Sequence, residues 1–392
     1  MIDKNLIGSI PQGGDSAFPK QEFDSRIAKL KAILRDKSID LYLTSGAENI
    51  FYLSGQQTPG YYVFQCLAIP VQGEPFLVLR ELESYNARFN TYLENLYGYG
   101  DGFSPAQALA SAIEQEGWKG KRIAIDRNAW FLTVNIFDEL AARLGEMQDG
   151  SGYAESLRRV KSPLEILALE EAARENDAGM RAGIQAARAG VDENAIAGAI
   201  MGATIAAGSE YMGMEPFVTS GPRSGVPHTT WRRRVIQSGD VVVLETAGCH
   251  HRYHAALFRT IMVGDVPQQA RDWHNITLDA LAAAMAAMKP GNLCSDVHDA
   301  AQRVIDAGGA TNAYRKRTGY SMGISFAPDW GEGNILHLNK GYDVELVEGM
   351  AFHIPITLRE YARFTVACSE TVIVTRDGCR PLSKIPRDLI NI

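Results

Sequence analysis

Apolar and polar positions repeat along the chain with two periods, and the switches between them predict the elements. In the first third, "FDSRIAKLKAILRDKSID" and "SPAQALASAIEQEGW" place apolar residues at helical spacing. "LYLTS", "YYVFQCLAIPV", "EPFLVLR" and "RIAIDR" are short β-rich runs bounded by Gly, Pro and Asn. This alternation predicts an α/β domain over residues 1–157. A long helix follows at "SPLEILALEEAARENDAGMRAGIQAARAG", with Ser162 as N-cap, Pro163 at the first position and Glu165 closing a capping box. Asp192 caps a second helix. Next come β-rich segments at "FVTSG" and "VVVLETAG", then helices at "QQARDWHNITLDALAAAMAAMKPG" and "SDVHDAAQRVIDAGG". Strands at "GMAFHIPI", "RFTVACS" and "TVIVT" close the chain. Helices first and strands later predict an α+β domain over 158–392, its helices backing a mostly antiparallel sheet.

Composition changes this picture little. The 392 residues suffice for two domains and a large core, and 46% hydrophobic with 22% charged residues is ordinary for a globular protein. A net charge of −7 gives no footing for nucleic acid or an anionic membrane. Without an eighteen-residue apolar run or an N-terminal h-region, we expect neither a membrane span nor a signal peptide. The five cysteines lack CxxC spacing and read as reduced thiols, which suits a cytoplasmic protein. All eight histidines lie at or after His228, which directs the search for acid–base chemistry to the C-terminal half.

Four stretches there could carry chemistry. Glu245 ends the apolar run Val-Val-Val-Leu. It is either a solvated strand-end carboxylate or a desolvated one whose raised pKa suits a base or nucleophile. His228 lies in the Gly/Pro-rich "SGPRSGVPHTTWRRR" beside Trp231, as a binding-loop histidine or a surface one. His250, His251 and His254 crowd together but fit a metal poorly. On one strand His250 and His254 share a face about 13 Å apart at 3.3 Å per residue, unless the chain turns between them. "RTGYSMGISFAPDWGEGN" sets Tyr320, Asp329, Trp330 and Glu332 among glycines. Its aromatic and carboxylates suit a small cationic ligand, or its Trp plugs the core.

In this order, "RRVKSPLEI", "VPHTTW", "LETAG…RTIMVG", "TGYSMG", "EGMAFHIP" and "CSETVIVTRDG" resemble the creatinase/aminopeptidase P superfamily over nearly the whole chain. The resemblance implies a creatinase-type N-terminal domain and a pita-bread catalytic domain with a curved sheet. Metal-dependent members hold two ions with two Asp, one His and two Glu. Carried over position by position, those ligands become Glu245, Ala256, Tyr320, Pro355 and Ser369. A single carboxylate cannot hold a dinuclear site, so we expect no metal and no cofactor.

Of the metal-free branches, creatinase keeps a His where this chain has Tyr320. The ectoine hydrolases look closer, at "PHTTW", Glu245–Gly248, "RYHA", "GYSMGIS…PDWGE" and "GMAFH". "PITLREYARFTVACSE" departs from them by lacking a Trp-containing segment, and "SGQQTPGYYVFQC" is only loosely similar. The resemblance implies C–N hydrolysis of a small nitrogenous solute, with ectoine ring opening to N-acetyl-diaminobutyrate foremost. Alternatives are a related amidinohydrolase or deacylase, or a catalytically inactive binding protein. In this reading Glu245 is base or nucleophile and His228 its acid/base partner. Tyr320 hydrogen-bonds the substrate, and Asp329, Trp330 and Glu332 hold a cationic ring. Trp231, His254, His353 and Glu370 are further contacts. The resemblance also implies a homodimer.

Overall fold

The computed structural model describes residues 7–392. The chain divides into two compact units, Met1–Arg158 and Arg159–Ile392. In the first, helices α1 (Lys20–Asp36), α2 (Ala47–Ser54), α3 (Ser84–Asn90), α4 (Pro105–Gln115), α5 (Val134–Leu144) and α6 (Tyr153–Arg158) accompany a six-stranded sheet. Its strands are β1 (Leu41–Thr44), β2 (Cys66–Pro70), β3 (Phe76–Arg80), β4 (Asn95–Tyr99), β5 (Ile123–Ile125) and β6 (Gln148–Asp149). They lie in the order β4-β3-β2-β1-β5-β6. The run "YYVFQCLAIPV" is strand only from Cys66 onward. Pro59–Tyr62 form a 3-10 turn instead, because Pro59 fixes the first turn position and the Thr58 hydroxyl accepts from Gly60 N–H.

The second unit is α+β. Helices α7 (Pro163–Ala186) and α8 (Glu193–Ala206) start where their caps predict. Ser162 Oγ accepts from Glu165 N–H at 3.3 Å, and the Glu165 carboxylate accepts from Ser162 N–H at 2.9 Å. Strands β7 (Phe217–Ser220), β8 (Val241–His250) and β9 (Tyr253–Met262) form one antiparallel ladder. After helices α9 (Gln268–Ala287) and α10 (Cys294–Ala307) come β10 (Gly319–Ser321), β11 (His337–Leu338), β12 (Ala351–Glu360), β13 (Phe364–Thr375) and β14 (Gly378–Pro381). These last five make an antiparallel sheet in the order β11-β10-β12-β13-β14. β15 (Ile390–Asn391) returns to pair parallel with β9. No helix among the described residues is long and apolar enough to cross a membrane.

Two threonines join the sheets. Thr260 Oγ1 donates to Ala367 O at 2.8 Å and accepts from Ala367 N–H at 2.7 Å; Thr371 Oγ1 makes the same pair of bonds to Ala256. One face of β8–β9, with Val242, Leu244, Leu257 and Ile261, packs on Met180, Ile196 and Ile200 of α7 and α8. Asn176 of α7 locks this packing, donating to the carbonyls of Thr246 and Ala255. The approach leaves no room for a side chain at Gly248, where a Cβ would lie 2.1 Å from Ala172 O. Gly248→Ala is therefore expected to lower unfolding free energy by about 1–3 kcal/mol in urea titrations.

Candidate functional site

The hairpin register sets the site. Glu245 sits opposite Phe217 of β7 and Phe258 of β9, so the three side chains share the face turned away from α7 and α8. The chain turns at His251 and Arg252, whose φ values of 47° and 63° make a tight two-residue connection. On a continuous strand His250 and His254 would share a face; the chain turns between them, the alternative the sequence left open, and puts them on opposite faces. His250 Nδ1 meets the Glu175 carboxylate of α7 at 2.9 Å, while His254 pairs across from Cys249 on the other side.

The second sheet supplies the facing wall. Tyr320 lies opposite His353, and Pro355 opposite Ser369. Through the Thr371–Ala256 bonds, all five positions carried over as ligands, Glu245, Ala256, Tyr320, Pro355 and Ser369, fall on one inner face. His353 Nδ1 is 2.9 Å from Tyr320 Oη and its Nε2 is 2.7 Å from Ser369 Oγ; Trp330 Nε1 donates to the same phenol at 3.0 Å.

Glu245 is half-buried, and its carboxylate makes no hydrogen bond among the described residues. Burial pushes its pKa up to about 7, opposed by the charges of Lys316 and Arg359 and reinforced by Asp329. Lys316 Nζ donates to Thr357 Oγ1 at 3.0 Å, and Arg359 Nε to Thr365 Oγ1 at 3.0 Å. Lys316 keeps solvent exposure, yet desolvation by the atoms packed around it lowers its pKa to about 8 while Glu245 pulls it upward. Sequence reasoning missed both cations. The signal was available for Arg359, which lies four residues beyond Pro355 and so on the same strand face.

The other expected site residues scatter. His228 is exposed at φ 53°, its ring stacked 6.3 Å from Phe217, the cross-strand neighbour of Glu245. Trp231 instead packs against the apolar core under α7 and α8. Trp330 is buried, edge-on to Phe217 at 5.5 Å. Asp329 is exposed, and its Oδ1 accepts from the amides of Trp330 and Gly331. Three residues offered as ligand contacts are engaged internally. Glu332 is fully buried, pairing with Lys161 Nζ at 2.6 Å and accepting from Ile324 N–H. Glu370 lies on the opposite face of β13 from Ser369, because adjacent strand residues alternate, and binds Arg259 and Arg387 at 2.9 Å each. His254 Nδ1 donates to Arg252 O, and its Nε2 accepts from Gly213 N–H; burial holds it well below the usual imidazole range.

Two family descriptions match this chain: creatinase/prolidase N-terminal domain over residues 26–160 and metallopeptidase family M24 over residues 168–376. The chain belongs to metallopeptidase family M24. It is 30% identical over 393 residues to the uncharacterized hydrolase/peptidase y4tL of Sinorhizobium fredii, covering 96% of this chain and 98% of that one. It is 25% identical to the ectoine hydrolase of Halomonas elongata, covering 95% and 98%. Dipeptidase PepE from Mycobacterium ulcerans shares the fold with a TM-score of 0.82 and 25% identity over 96% of this chain and all of that one. A Thermococcus sibiricus prolidase superposes with a TM-score of 0.85 at 23% identity over 94% and 99%. The chain is thus a member of a hydrolase family with the pita-bread fold.

The family implies a metal centre, and the residues present do not fit one. The five inner-face positions offer one carboxylate, a phenol, a hydroxyl, an alanine and a proline. Among the described residues no group of three or more His, Cys, Asp or Glu is placed to hold an ion.

A raised carboxyl pKa has a measurable sign. Folded Glu245 keeps its proton between the usual 4.5 and about 7, so this contribution to stability is complete below pH 4.5 and is lost as pH rises through 7. Glu245→Gln should therefore gain melting temperature relative to the parent between pH 5 and pH 8. A gap that is flat or shrinks across that range would contradict the assignment.

Proposed function

We propose that this M24 member hydrolyses a C–N bond in a small nitrogenous solute without a metal ion, with ectoine as leading substrate. The observation that carries the reading is the Glu245 carboxylate, half-buried, without a hydrogen bond among the described residues and pushed up to about 7. An amidinium carbon is electrophilic by resonance, so its hydrolysis calls for a base and not a Lewis acid. Glu245 takes a proton from water as the water oxygen bonds to the ring carbon. As the carbonyl forms, the C–N bond breaks and the departing nitrogen receives a proton through His228; the hydroxyl proton passes to solvent, and protonated Glu245 returns its proton to His228 by way of solvent. Lys316 and Arg359 suit a substrate carboxylate, and Asp329 keeps one oxygen for the cationic ring. Similarity to the Halomonas ectoine hydrolase supports the substrate; dipeptidase and prolidase relatives make Xaa-Pro dipeptides the comparison to run.

Glu245→Gln should keep its circular dichroism spectrum and lose ectoine turnover about a hundredfold or more. Near-parental turnover would remove Glu245 from the mechanism. Exhaustive dialysis against a chelator should leave turnover intact. A loss that added divalent metal restores would favour the metallopeptidase chemistry of the family, as would cleavage of an Xaa-Pro dipeptide in preference to ectoine.

A further inference from the structure

The polar groups facing Glu245 form a chain whose proton positions follow from counting. His353 is fully buried, and among the described residues its two ring nitrogens meet the Tyr320 and Ser369 hydroxyls and no carboxylate, which favours a neutral ring with one N–H. Burial, with Lys316 and Arg259 nearby, also holds it well below the usual imidazole range. Trp330 Nε1 can only donate, so Tyr320 Oη accepts from it. Two arrangements satisfy the distances. If Tyr320 donates to Nδ1, then Nε2–H donates to Ser369. The Ser369 hydroxyl hydrogen is then left without an acceptor among the described residues, in a residue with no exposure. If Ser369 donates to Nε2, then Nδ1–H donates to Tyr320 and every buried hydrogen is used. A buried donor without a partner is costly, so the second arrangement is favoured.

In that arrangement Tyr320 Oη accepts from both Trp330 and His353, and its own hydrogen is left for the inner face, where the residue keeps partial exposure. We propose that Ser369, His353 and Trp330 are positioning residues that hold the Tyr320 O–H as a fixed hydrogen-bond donor to the oxygen on the reacting carbon. The proposal rests on the C–N hydrolysis reading above. In an amidine that oxygen arrives only with the attacking water, so the bond exists only once addition has begun and favours the transition state over bound substrate. No proton leaves Tyr320. Burial, reinforced by the Glu245 charge, keeps its phenol well above its usual pKa and therefore protonated. Gly331 presses on the ring, since a Cβ there would lie 2.6 Å from Tyr320 Cε2.

The tautomer can be read in the ligand-free parent protein. With ¹⁵N-labelled histidine, long-range nitrogen–proton NMR should find the His353 proton on Nδ1, the signals being assigned by their loss in His353→Gln. Neutron diffraction gives the same readout without a variant. A proton on Nε2, or on both nitrogens, would overturn the relay. In turnover of ectoine, Tyr320→Phe should lower kcat by about 10²–10³-fold with KM changed far less. Ser369→Ala should lower kcat more than KM, and Ser369→Thr, which keeps the hydroxyl, should restore it. An unchanged kcat in Tyr320→Phe beside an inactive Glu245→Gln would overturn the donor role and leave the hydrolysis reading standing. Full activity in both variants would overturn the two together.

Discussion

The two-residue turn at His251 and Arg252 decides which way Glu245 points. Side chains alternate along a strand, so a slip of one residue would carry Glu245 to the face that packs on α7 and α8. Neither turn residue is a glycine, yet both hold positive φ. The cost is met locally. Glu210 accepts from both turn amides, at 3.1 and 3.3 Å. The Arg252 guanidinium is buried between the rings of Tyr211 and Phe326 and donates to the carbonyls of Tyr211 and Ser325. Behind the hairpin, Asn176 and the bare backbone of Gly248 fix its depth against α7.

On that frame the buried carboxylates of the second unit are matched one by one. Glu332 has Lys161, Glu370 has Arg259, Glu193 has Arg223, and Glu165 accepts from the Tyr253 hydroxyl. Removing either partner of such a pair would leave a buried charge alone, a loss of about 3–5 kcal/mol. Half-buried Glu245 differs, with nearby cations but no hydrogen-bonded partner among the described residues. A half-buried carboxylate left without such a partner is a candidate reactive group, which is the footing of the proposed role of Glu245.

The sequence carried some of this and not the rest, for reasons of range. Element types were legible because periodicity and caps are local: Ser162, Glu165 and Asp192 act within their own first turns. The poverty of metal donors was legible because it depends only on which residue types stand at five positions. The fates of Glu332, Glu370 and His254 were not. Their partners Lys161, Arg259 and Gly213 lie 171, 111 and 41 residues away, and no local pattern links them. Trp330 looked equally suited to a ligand or to the core. It is buried, and its indole N–H donates to the Tyr320 phenol on the inner face.

What places Glu245 near neutrality is a contest between terms of opposite sign. Burial alone favours the uncharged carboxyl, and a carboxylate fully paired with a cation would titrate in the acid range, where it makes a poor base. Lys316 and Arg359 stand close enough to stabilise the charge, yet their hydrogen bonds go to Thr357 and Thr365 instead of to Glu245. The cations therefore act through space only, and burial retains the upper hand. Those threonine bonds also hold the two positive groups apart from the carboxylate, which keeps them open to an anionic group from outside. A negative ligand seated there would weaken their pull on Glu245 and leave burial less opposed, making the bound-state carboxylate a stronger base than the free one. The same two side chains that suit a substrate carboxylate thus set the basicity of Glu245.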